Sequence, residues 1–274
     1  MTRLRLLVID PQNDFMDLPD AALPVPGACA DMTRLAALID ALAGGIDEIF
    51  VTLDSHAGFS IERVTFWLDA AGTPVAPFTP ITAADVQAGR YRARAPERAA
   101  QALAYLQALE AGGQRTLIAW PVHCVLGSWG HNIESGLAAS IARWEQARAR
   151  PCEKVVKGLN PMTEQYSAFR AEVPRADDAR TALNVPLLAR LAQGDALLLV
   201  AGEASSHCVA ASGQDMLAQW DGARLRNMVL LTDCMSPVPG FAAAADAFVQ
   251  QARAAGVRAE TAASVLRRCA TGAA

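Results

Sequence analysis

Short apolar runs alternate along this chain with longer stretches rich in alanine, leucine and arginine. The apolar runs predict strands at residues 4–9, 48–53, 115–120, 154–156, 196–201 and 227–231, and a weaker run at 257–261 could add an edge strand. The intervening stretches predict helices at 29–42, 95–111, 186–192, 208–219 and 241–255. Strands that alternate with helices are typical of βαβ units, so we expect a three-layer α/β fold. It would have about six mainly parallel strands and helices on both faces.

The alternation stops between residues 57 and 94. This segment contains Phe59, Phe66, Trp67, Phe78 and Tyr91 together with Pro74, Pro77 and Pro80. It is too aromatic for a disordered linker and too rich in proline for a long helix. We therefore expect an ordered insertion over the sheet edge or the mouth of a site, within a single domain that spans residues 1–274.

Composition narrows the class of partner. With 274 residues, of which 52% are hydrophobic, the chain can bury one large core. A net charge of -4 without a lysine- or arginine-rich block argues against nucleic acid and against an anionic membrane surface, which leaves a small molecule as the expected partner. The six cysteines form no C-x-x-C pair, and no signal peptide or membrane-spanning run is evident. We expect reduced thiols in a cytoplasmic protein.

The most informative stretch is residues 202–209, which directly follows the apolar run 196–201. A buried strand that ends in glycine and small residues places Cys208 at the carboxyl edge of a parallel sheet, where ligands bind. A thiol that opens the next helix can be activated by the helix N-terminus. The alternative is a buried structural cysteine.

Other predicted strands also end in chemically competent residues. Asp10 follows the first strand, and Lys157 follows a later one in an apolar setting. Taken alone, Asp10 could cap a turn and Lys157 could be a surface side chain with a buried stem. Asp54 and His56 follow the second strand and can point to the same side, while His123 follows the third. Four such strand ends together favour an active site.

Five segments of the sequence resemble the motifs of the isochorismatase-like cysteine hydrolases, in the same order and spacing. They are Asp10-Pro-Gln-Asn-Asp-Phe15, Leu53-Asp-Ser-His56, Trp120-Pro-Val-His-Cys-Val-Leu-Gly127, Lys157-Gly158 followed by Thr163-Glu-Gln-Tyr-Ser-Ala-Phe169, and Gly202-Glu-Ala-Ser-Ser-His-Cys-Val209. The resemblance covers about residues 4–236. Within this superfamily, the chain is most similar to the nicotinamidase-related amidases.

The resemblance implies a catalytic triad of Asp10, Lys157 and Cys208, in which the thiol attacks an amide carbonyl and forms a thioester. It also implies an oxyanion hole made by the backbone N–H groups of Ala204 and Cys208, with a cis peptide bond between Glu203 and Ala204. The expected substrate pocket contains Phe15, Trp120, Glu164, Tyr166 and His207. Of these, Phe15 and Trp120 would form a slot for a planar ring.

The resemblance further implies a divalent metal ion, such as zinc, iron or manganese, beside the triad. Asp54, His56 and His123 match three of the ligand positions, and the fourth falls on Glu62 or Arg63, depending on the loop alignment. Glu62 would complete a mixed oxygen and nitrogen site. Arg63 would leave three ligands with a cation beside them, and the histidines would then support the site without a metal.

These observations predict a cysteine-dependent amidohydrolase, and nicotinamide is its leading expected substrate. Because the 57–94 insertion is unlike the compact nicotinamidases, another small amide or carbamoyl compound is an alternative. A nucleotide-binding oxidoreductase is disfavoured because no G-x-G-x-x-G motif follows the first strand. A catalytically silent interaction module is disfavoured by the intact triad. We expect a homo-oligomer and no organic cofactor.

Overall fold

The computed structural model describes residues 3–113 and 116–271. The strands are β1 (Leu4–Ile9), β2 (Ile46–Asp54), β3 (Trp67–Asp69), β4 (Thr79–Ile81), β5 (Tyr91–Ala93), β6 (Leu117–Ala119), β7 (Glu153–Lys157), β8 (Leu197–Gly202), β9 (Met228–Leu231) and β10 (Arg258–Glu260). The helices are α1 (Ala28–Leu42), α2 (Ala83–Gln87), α3 (Ala99–Ala111), α4 (Ser135–Arg148), α5 (Val185–Ala192), α6 (Cys208–Gln219), α7 (Gly222–Leu225), α8 (Ala242–Ala254) and α9 (Ala262–Thr271).

Six strands form one central sheet in the order β10-β9-β8-β1-β2-β7, and every neighbouring pair in it is parallel. All residues of β1 and β8 are buried, as expected for strands covered on both faces. The chain moves outward from β1 in one direction through β2 and β7, and from β8 in the other through β9 and β10. The strand order therefore reverses between β1 and β8, where ligands bind in open α/β sheets.

Helices cover the two faces of this sheet. Helix α1 packs against α4 and α9, whereas α6 packs against α8. Because parallel crossovers are right-handed, the opposite directions of travel from β1 and from β8 place these two groups on opposite faces. The predicted α/β fold with a six-stranded parallel sheet and helices on both faces is therefore confirmed.

One predicted sheet strand was wrong. Of the run 115–120, Arg115 lies outside the described residues, and β6 pairs antiparallel with β4 instead of joining the central sheet. Leu117 and Ala119 face a separate apolar cluster built largely by the insertion, which competes with the main core for this strand. The sixth position of the sheet belongs to β10, the weak edge strand.

Helix α4 was missed altogether. Its buried residues Leu137, Ile141 and Trp144 recur at i, i+4 and i+7, which is the spacing of an amphipathic helix. The rest of the helix is polar or alanine, so the signal is weak. The Glu134 carboxylate caps its first turn by accepting hydrogen bonds from the N–H groups of Gly136 and Leu137, 2.8 Å each.

The insertion is ordered and has its own apolar cluster, which extends beyond residue 94 to β6. The cluster is made of Ile61, Phe66, Trp67, Val75, Ile81, Ala83, Ala93, Ala102, Tyr105, Leu106, Leu109, Leu117, Ala119 and Met162. Strands β3 and β5 pair antiparallel within it.

The single-domain assignment stays a prediction. Across the described residues, we find no helix that combines the length and apolarity needed to cross a membrane.

Candidate active site

The carboxyl ends of β1, β2, β7 and β8 bring the predicted triad together. Asp10 follows β1, Lys157 ends β7, and Cys208 begins α6 after the loop that leaves β8. Gly202, at the end of β8, has a φ of +114° and lies against the backbone of Ile9, where a Cβ atom would overlap the carbonyl oxygen. Only glycine allows this close approach, which brings the loop before Cys208 beside Asp10.

The ammonium of Lys157 contacts both other members of the predicted triad and Asp54. Its Nζ lies 2.9 Å from Asp10 Oδ2, 2.8 Å from Asp54 Oδ1 and 3.7 Å from Cys208 Sγ. It also donates a hydrogen bond to the carbonyl oxygen of Gln165, 3.0 Å away. The side chain is 1% exposed, so the alternative of a surface lysine is wrong.

Electrostatics fix the protonation states of the triad. Burial acts to lower the pKa of Lys157, but the carboxylates of Asp10 and Asp54 outweigh it and raise that pKa well above its ordinary value. Burial raises the pKa of the Cys208 thiol, and Lys157 offsets this only in part. Burial also raises the pKa of Asp10, against the effect of Lys157. The resting site therefore holds an ammonium and a neutral thiol, and the carboxyl group of Asp10 is more basic than an exposed one.

Thr52 orients the Asp10 carboxylate. Its hydroxyl accepts a hydrogen bond from the Asp10 N–H at 3.0 Å and donates one to Oδ1 of the same residue. Oδ2 is then left for Lys157. Gln12 fixes the end of β2, because its side chain accepts from the Asp54 N–H at 2.7 Å and donates to the Asp54 carbonyl at 2.8 Å. Sequence reasoning missed Thr52 and Gln12. Thr52 stands two residues before Asp54 on the same strand, which could have indicated a shared face.

The loop before Cys208 contains the expected cis peptide bond between Glu203 and Ala204. The Ala204 carbonyl accepts hydrogen bonds from the N–H groups of His207 and Val209, at 3.0 and 3.2 Å. Among the hydrogen bonds of the described residues, none uses the N–H of Ala204 or of Cys208 as donor. These two groups, which the resemblance assigns to an oxyanion hole, have no protein acceptor in this part of the chain.

Cys208 lines a small pocket with a volume of about 30 Å³. The lining residues are Phe15, Leu23, Asp54, Trp120, His123, Glu164, Tyr166, Ala204, His207, Cys208 and Val238. All five residues predicted for the substrate pocket are among them. Leu23 and Val238 were missed, since an apolar residue in a loop carries no signal of its place. The Trp120 Nε1–H donates to the Tyr166 hydroxyl at 2.9 Å, and its ring meets His207 edge-on, at 5.2 Å between centroids.

Glu164 is a buried acidic residue of the pocket with a raised pKa. Burial, and after it the nearby charge of Glu62, raises the pKa of Glu164 to about 8. Its Oε1 accepts a hydrogen bond from the Gln165 N–H at 2.7 Å. At neutral pH this side chain is mainly a carboxylic acid that can donate a proton to a hydrogen bond in the pocket.

The residues predicted as metal ligands lie next to the triad. His56 Nε2 lies 2.8 Å from Asp54 Oδ1, His56 Nδ1 lies 3.1 Å from Glu62 Oε1, and His123 Nε2 lies 3.5 Å from Asp54 Oδ2. Both residues that competed for the fourth position are present, because Arg63 Nε lies 3.1 Å from Glu62 Oε1 and Arg63 Nη1 donates to the His123 ring. We call Asp54, His56, Glu62, Arg63 and His123 the Arg63 cluster.

The Arg63 cluster does not fit a bound metal ion. Within residues 3–113 and 116–271, no group of three or more histidine, cysteine, aspartate or glutamate side chains is arranged to hold one. Although burial acts to lower the pKa of His56, Asp54 raises it to about 9, whereas burial followed by Arg63 lowers the pKa of His123 to about 4. The donors instead lie at ion-pair distance from each other and from Arg63 and Lys157, and His56 Nδ1, both Glu62 oxygens and Arg63 Nε and Nη2 form no hydrogen bond within the described residues.

Comparison with known proteins supports the fold. No protein-family model and no curated protein sequence matches the chain. Among solved structures, L. infantum PnC1 in complex with nicotinate is 22% identical over 96% of this chain and 94% of its own, with a TM-score of 0.58. The yeast nicotinamidase Pnc1p is 19% identical, covering 93% of this chain and 98% of its own, with a TM-score of 0.61.

A third match is the pyrazinamidase of Pyrococcus horikoshii in complex with zinc. It is 18% identical over 94% of this chain and 99% of its own, with a TM-score of 0.55. Isochorismatase-like hydrolases are also among the matches. The chain therefore has the isochorismatase-like fold that its motifs predicted, shared here with nicotinamidases and pyrazinamidases.

Proposed function

We propose that the protein hydrolyses the carbon–nitrogen bond of a small amide, with Cys208 as nucleophile. One observation carries this proposal: Lys157 Nζ contacts both the Asp10 carboxylate and the Cys208 sulfur at the base of a pocket. A thiol, a base and a fixed cation in contact are the parts that covalent catalysis at an acyl carbon needs.

The proposed reaction begins with the transfer of the Cys208 proton to Asp10. The sulfur then attacks the amide carbon, and the N–H groups of Ala204 and Cys208 receive the developing oxyanion. Asp10 returns its proton to the leaving nitrogen as the carbon–nitrogen bond breaks, which leaves a thioester and releases ammonia. Water attacks the thioester, giving one proton to Asp10, and this proton returns to the sulfur as the carboxylic acid leaves.

Lys157 has a different task in this scheme. Its ammonium favours the thiolate over the thiol, because a fixed positive charge lies 3.7 Å from the sulfur. The two carboxylates that contact Nζ keep the amine protonated and in place. Lys157 therefore stabilises charge at the nucleophile and is not itself the base.

Nicotinamide is the leading substrate in this proposal. The aromatic rings of Phe15, Trp120 and Tyr166 line the pocket and suit a planar ring. Glu164, as a neutral acid, supplies a hydrogen-bond donor for a ring nitrogen or a carbonyl oxygen. Nicotinate in the L. infantum protein and nicotinaldehyde in the yeast enzyme show that proteins of this fold hold such rings.

A different small amide or a carbamoyl compound is the second candidate, and one contact favours it. Phe78, from the insertion, is half exposed and packs edge-on against Trp120 at 5.7 Å between ring centroids. The insertion therefore supplies part of the wall behind a pocket residue. A wall built by a long insertion can select a substrate other than nicotinamide.

Ammonia release from a panel of amides tests this proposal. The panel contains nicotinamide, pyrazinamide, benzamide and small aliphatic amides and carbamoyl compounds, each with wild-type protein and with Cys208→Ala. We expect saturable release from at least one compound, reduced by at least about 1,000-fold in the variant. The Cys29→Ala protein, which changes a partly exposed cysteine in α1, is the matched control and should keep full activity. Equal release by wild type and Cys208→Ala would contradict the proposal.

A further inference from the structure

The Arg63 cluster contains the residues that the motif resemblance assigns to a divalent metal ion, together with the arginine that competes with them. Arg63 is fully buried, and its Nη1 donates to the Pro121 carbonyl oxygen at 3.0 Å as well as to the His123 ring. Its Nε faces Glu62 Oε1 at 3.1 Å. The guanidinium thus contacts two of the four side chains that would have to turn toward an ion.

The remaining two side chains are also engaged. The two ring nitrogens of His56 lie nearest to different carboxylates: Nε2 is 2.8 Å from Asp54 Oδ1, and Nδ1 is 3.1 Å from Glu62 Oε1 without forming a hydrogen bond. Asp54 Oδ1 is shared with Lys157 Nζ at 2.8 Å. A divalent ion would have to displace these contacts and would lie between two fixed positive charges, those of Arg63 and Lys157.

The backbone fixes Arg63 in this position. The Trp120 N–H donates to the Glu62 carbonyl at 2.8 Å, and the Val64 N–H donates to the Trp120 carbonyl at 3.0 Å. In this short parallel pairing, residues 62–64 lie alongside Trp120. Because His123 follows Trp120 by three residues, the pairing holds Arg63 beside His123. Arg63 therefore belongs to the insertion, and backbone hydrogen bonds hold it in the site.

We infer that the Arg63 guanidinium, which contacts Glu62 and His123, replaces the divalent ion and that the protein works without a bound metal. Arg63 is a positioning residue in this account. It neutralises Glu62 and orients His123 at the wall of the pocket, two tasks that a metal ion would otherwise perform. The inference is separate from the proposed amide hydrolysis, because metal binding can be measured without any substrate.

Metal content is the direct test. Tag-free wild-type protein, produced in medium supplemented with zinc, iron and manganese, should contain less than about 0.1 metal ion per chain, and dialysis against zinc should not load it. Arg63→Ala removes the guanidinium and leaves two carboxylates and two imidazoles around the space. This variant should bind about one zinc ion per chain, and Arg63→Ala combined with His56→Ala should lose it.

Three further variants keep the test decisive. Arg94→Ala removes an exposed arginine of the same segment, whose Nε bonds the Thr65 carbonyl, and should stay free of metal. If Arg63→Ala does not fold, Arg63→Gln removes the charge with less loss of volume and should still gain zinc, whereas Arg63→Lys should not. Wild-type protein with about one tightly bound ion per chain would overturn the inference. So would a folded Arg63→Ala or Arg63→Gln protein that binds no more zinc than wild type.

Discussion

The triad and the Arg63 cluster are two buried groups of charges that share Asp54 but differ in how their charges are satisfied. In the Arg63 cluster, the contacts run between side chains of the cluster, its neighbouring backbone and Lys157. In the triad, one member is a thiol that opens into the pocket. Because the triad presents a thiol to the pocket and the Arg63 cluster pairs its charges mainly internally, we expect the first group to be reactive and the second to be structural. Within the described residues, Glu62 Oε2 and Arg63 Nη2 form no hydrogen bond.

Asp54 joins the two groups. Burial acts to raise its pKa, but His56 and then Lys157 outweigh burial and hold that pKa well below the ordinary value. The carboxylate therefore stays charged and pins Lys157 on one side and His56 on the other. From the sequence this residue was predicted to be a metal ligand, whereas its contacts support a role in placing the Lys157 ammonium.

Asp10→Asn should have a large effect on the triad side of the comparison. Turnover of any substrate should fall by at least about 100-fold, because the variant cannot accept the thiol proton. The Cys208 thiol should nevertheless react faster with iodoacetamide at a fixed pH, since the Asp10 charge and hydrogen bond raise its pKa in the wild type. Lys157→Met should lose turnover too, but with slower alkylation, because the cation that lowers the thiol pKa is gone.

Glu62→Gln is the matched change of a buried carboxylate on the cluster side. Leaving Arg63 without its carboxylate should lower the free energy of unfolding by roughly 3 kcal/mol, measured by urea denaturation. The kcat of the folded protein should stay within about tenfold of wild type. If Glu62→Gln lost as much turnover as Asp10→Asn, the division between a reactive and a structural group would be wrong.

Glu164→Gln should have a smaller effect on activity. Glu164 links the two groups, because it lines the pocket and the charge of Glu62 helps to raise its pKa. With a pKa of about 8, Glu164 is protonated below that pH and becomes a carboxylate above it. The kcat/KM of wild type should therefore decline as pH rises through about 8, as a hydrogen-bond donor is lost.

The glutamine side chain keeps a donor at every pH. Glu164→Gln should retain activity within about tenfold of wild type near neutral pH and should lose the decline above pH 8. Initial rates at low substrate concentration between pH 6 and 10 measure this profile. An unchanged alkaline decline in the variant would mean that another group causes it.

Much of the central sheet was predictable because β1, β2, β8 and β9 contain clear apolar runs, whereas β7 and β10 are short and carry charged residues. The predicted β1 and α6 match the structure in both bounds. Strand β6 was misplaced because its residues suit any buried strand, and only the tertiary pairing with β4 assigns it to the insertion. Helix α4 was missed because its three large apolar residues are diluted by polar ones.

The convergence of Asp10, Lys157 and Cys208 could be predicted because these residues follow recognisable strands at motif spacing. The choice between Glu62 and Arg63 could not, since the loop after His56 has no repeating pattern and its register is set by pairing with Trp120. Whether a set of potential ligands holds an ion depends on whether these side chains are already paired with other side chains of the folded protein. That outcome lies in the packing of the insertion against the sheet and not in the spacing of the motif.

The most direct measurement of the central claim is the mass of the protein during turnover. Wild-type protein mixed with the best amide of the panel, quenched in acid within the first turnovers and digested, should carry the acyl part of that amide on the peptide that contains Cys208. The adduct should disappear with hydroxylamine, as a thioester does, and should be absent from Cys208→Ala. Steady turnover with no acyl group on Cys208, in an experiment that detects a thioester standard, or an adduct on another residue, would contradict the account.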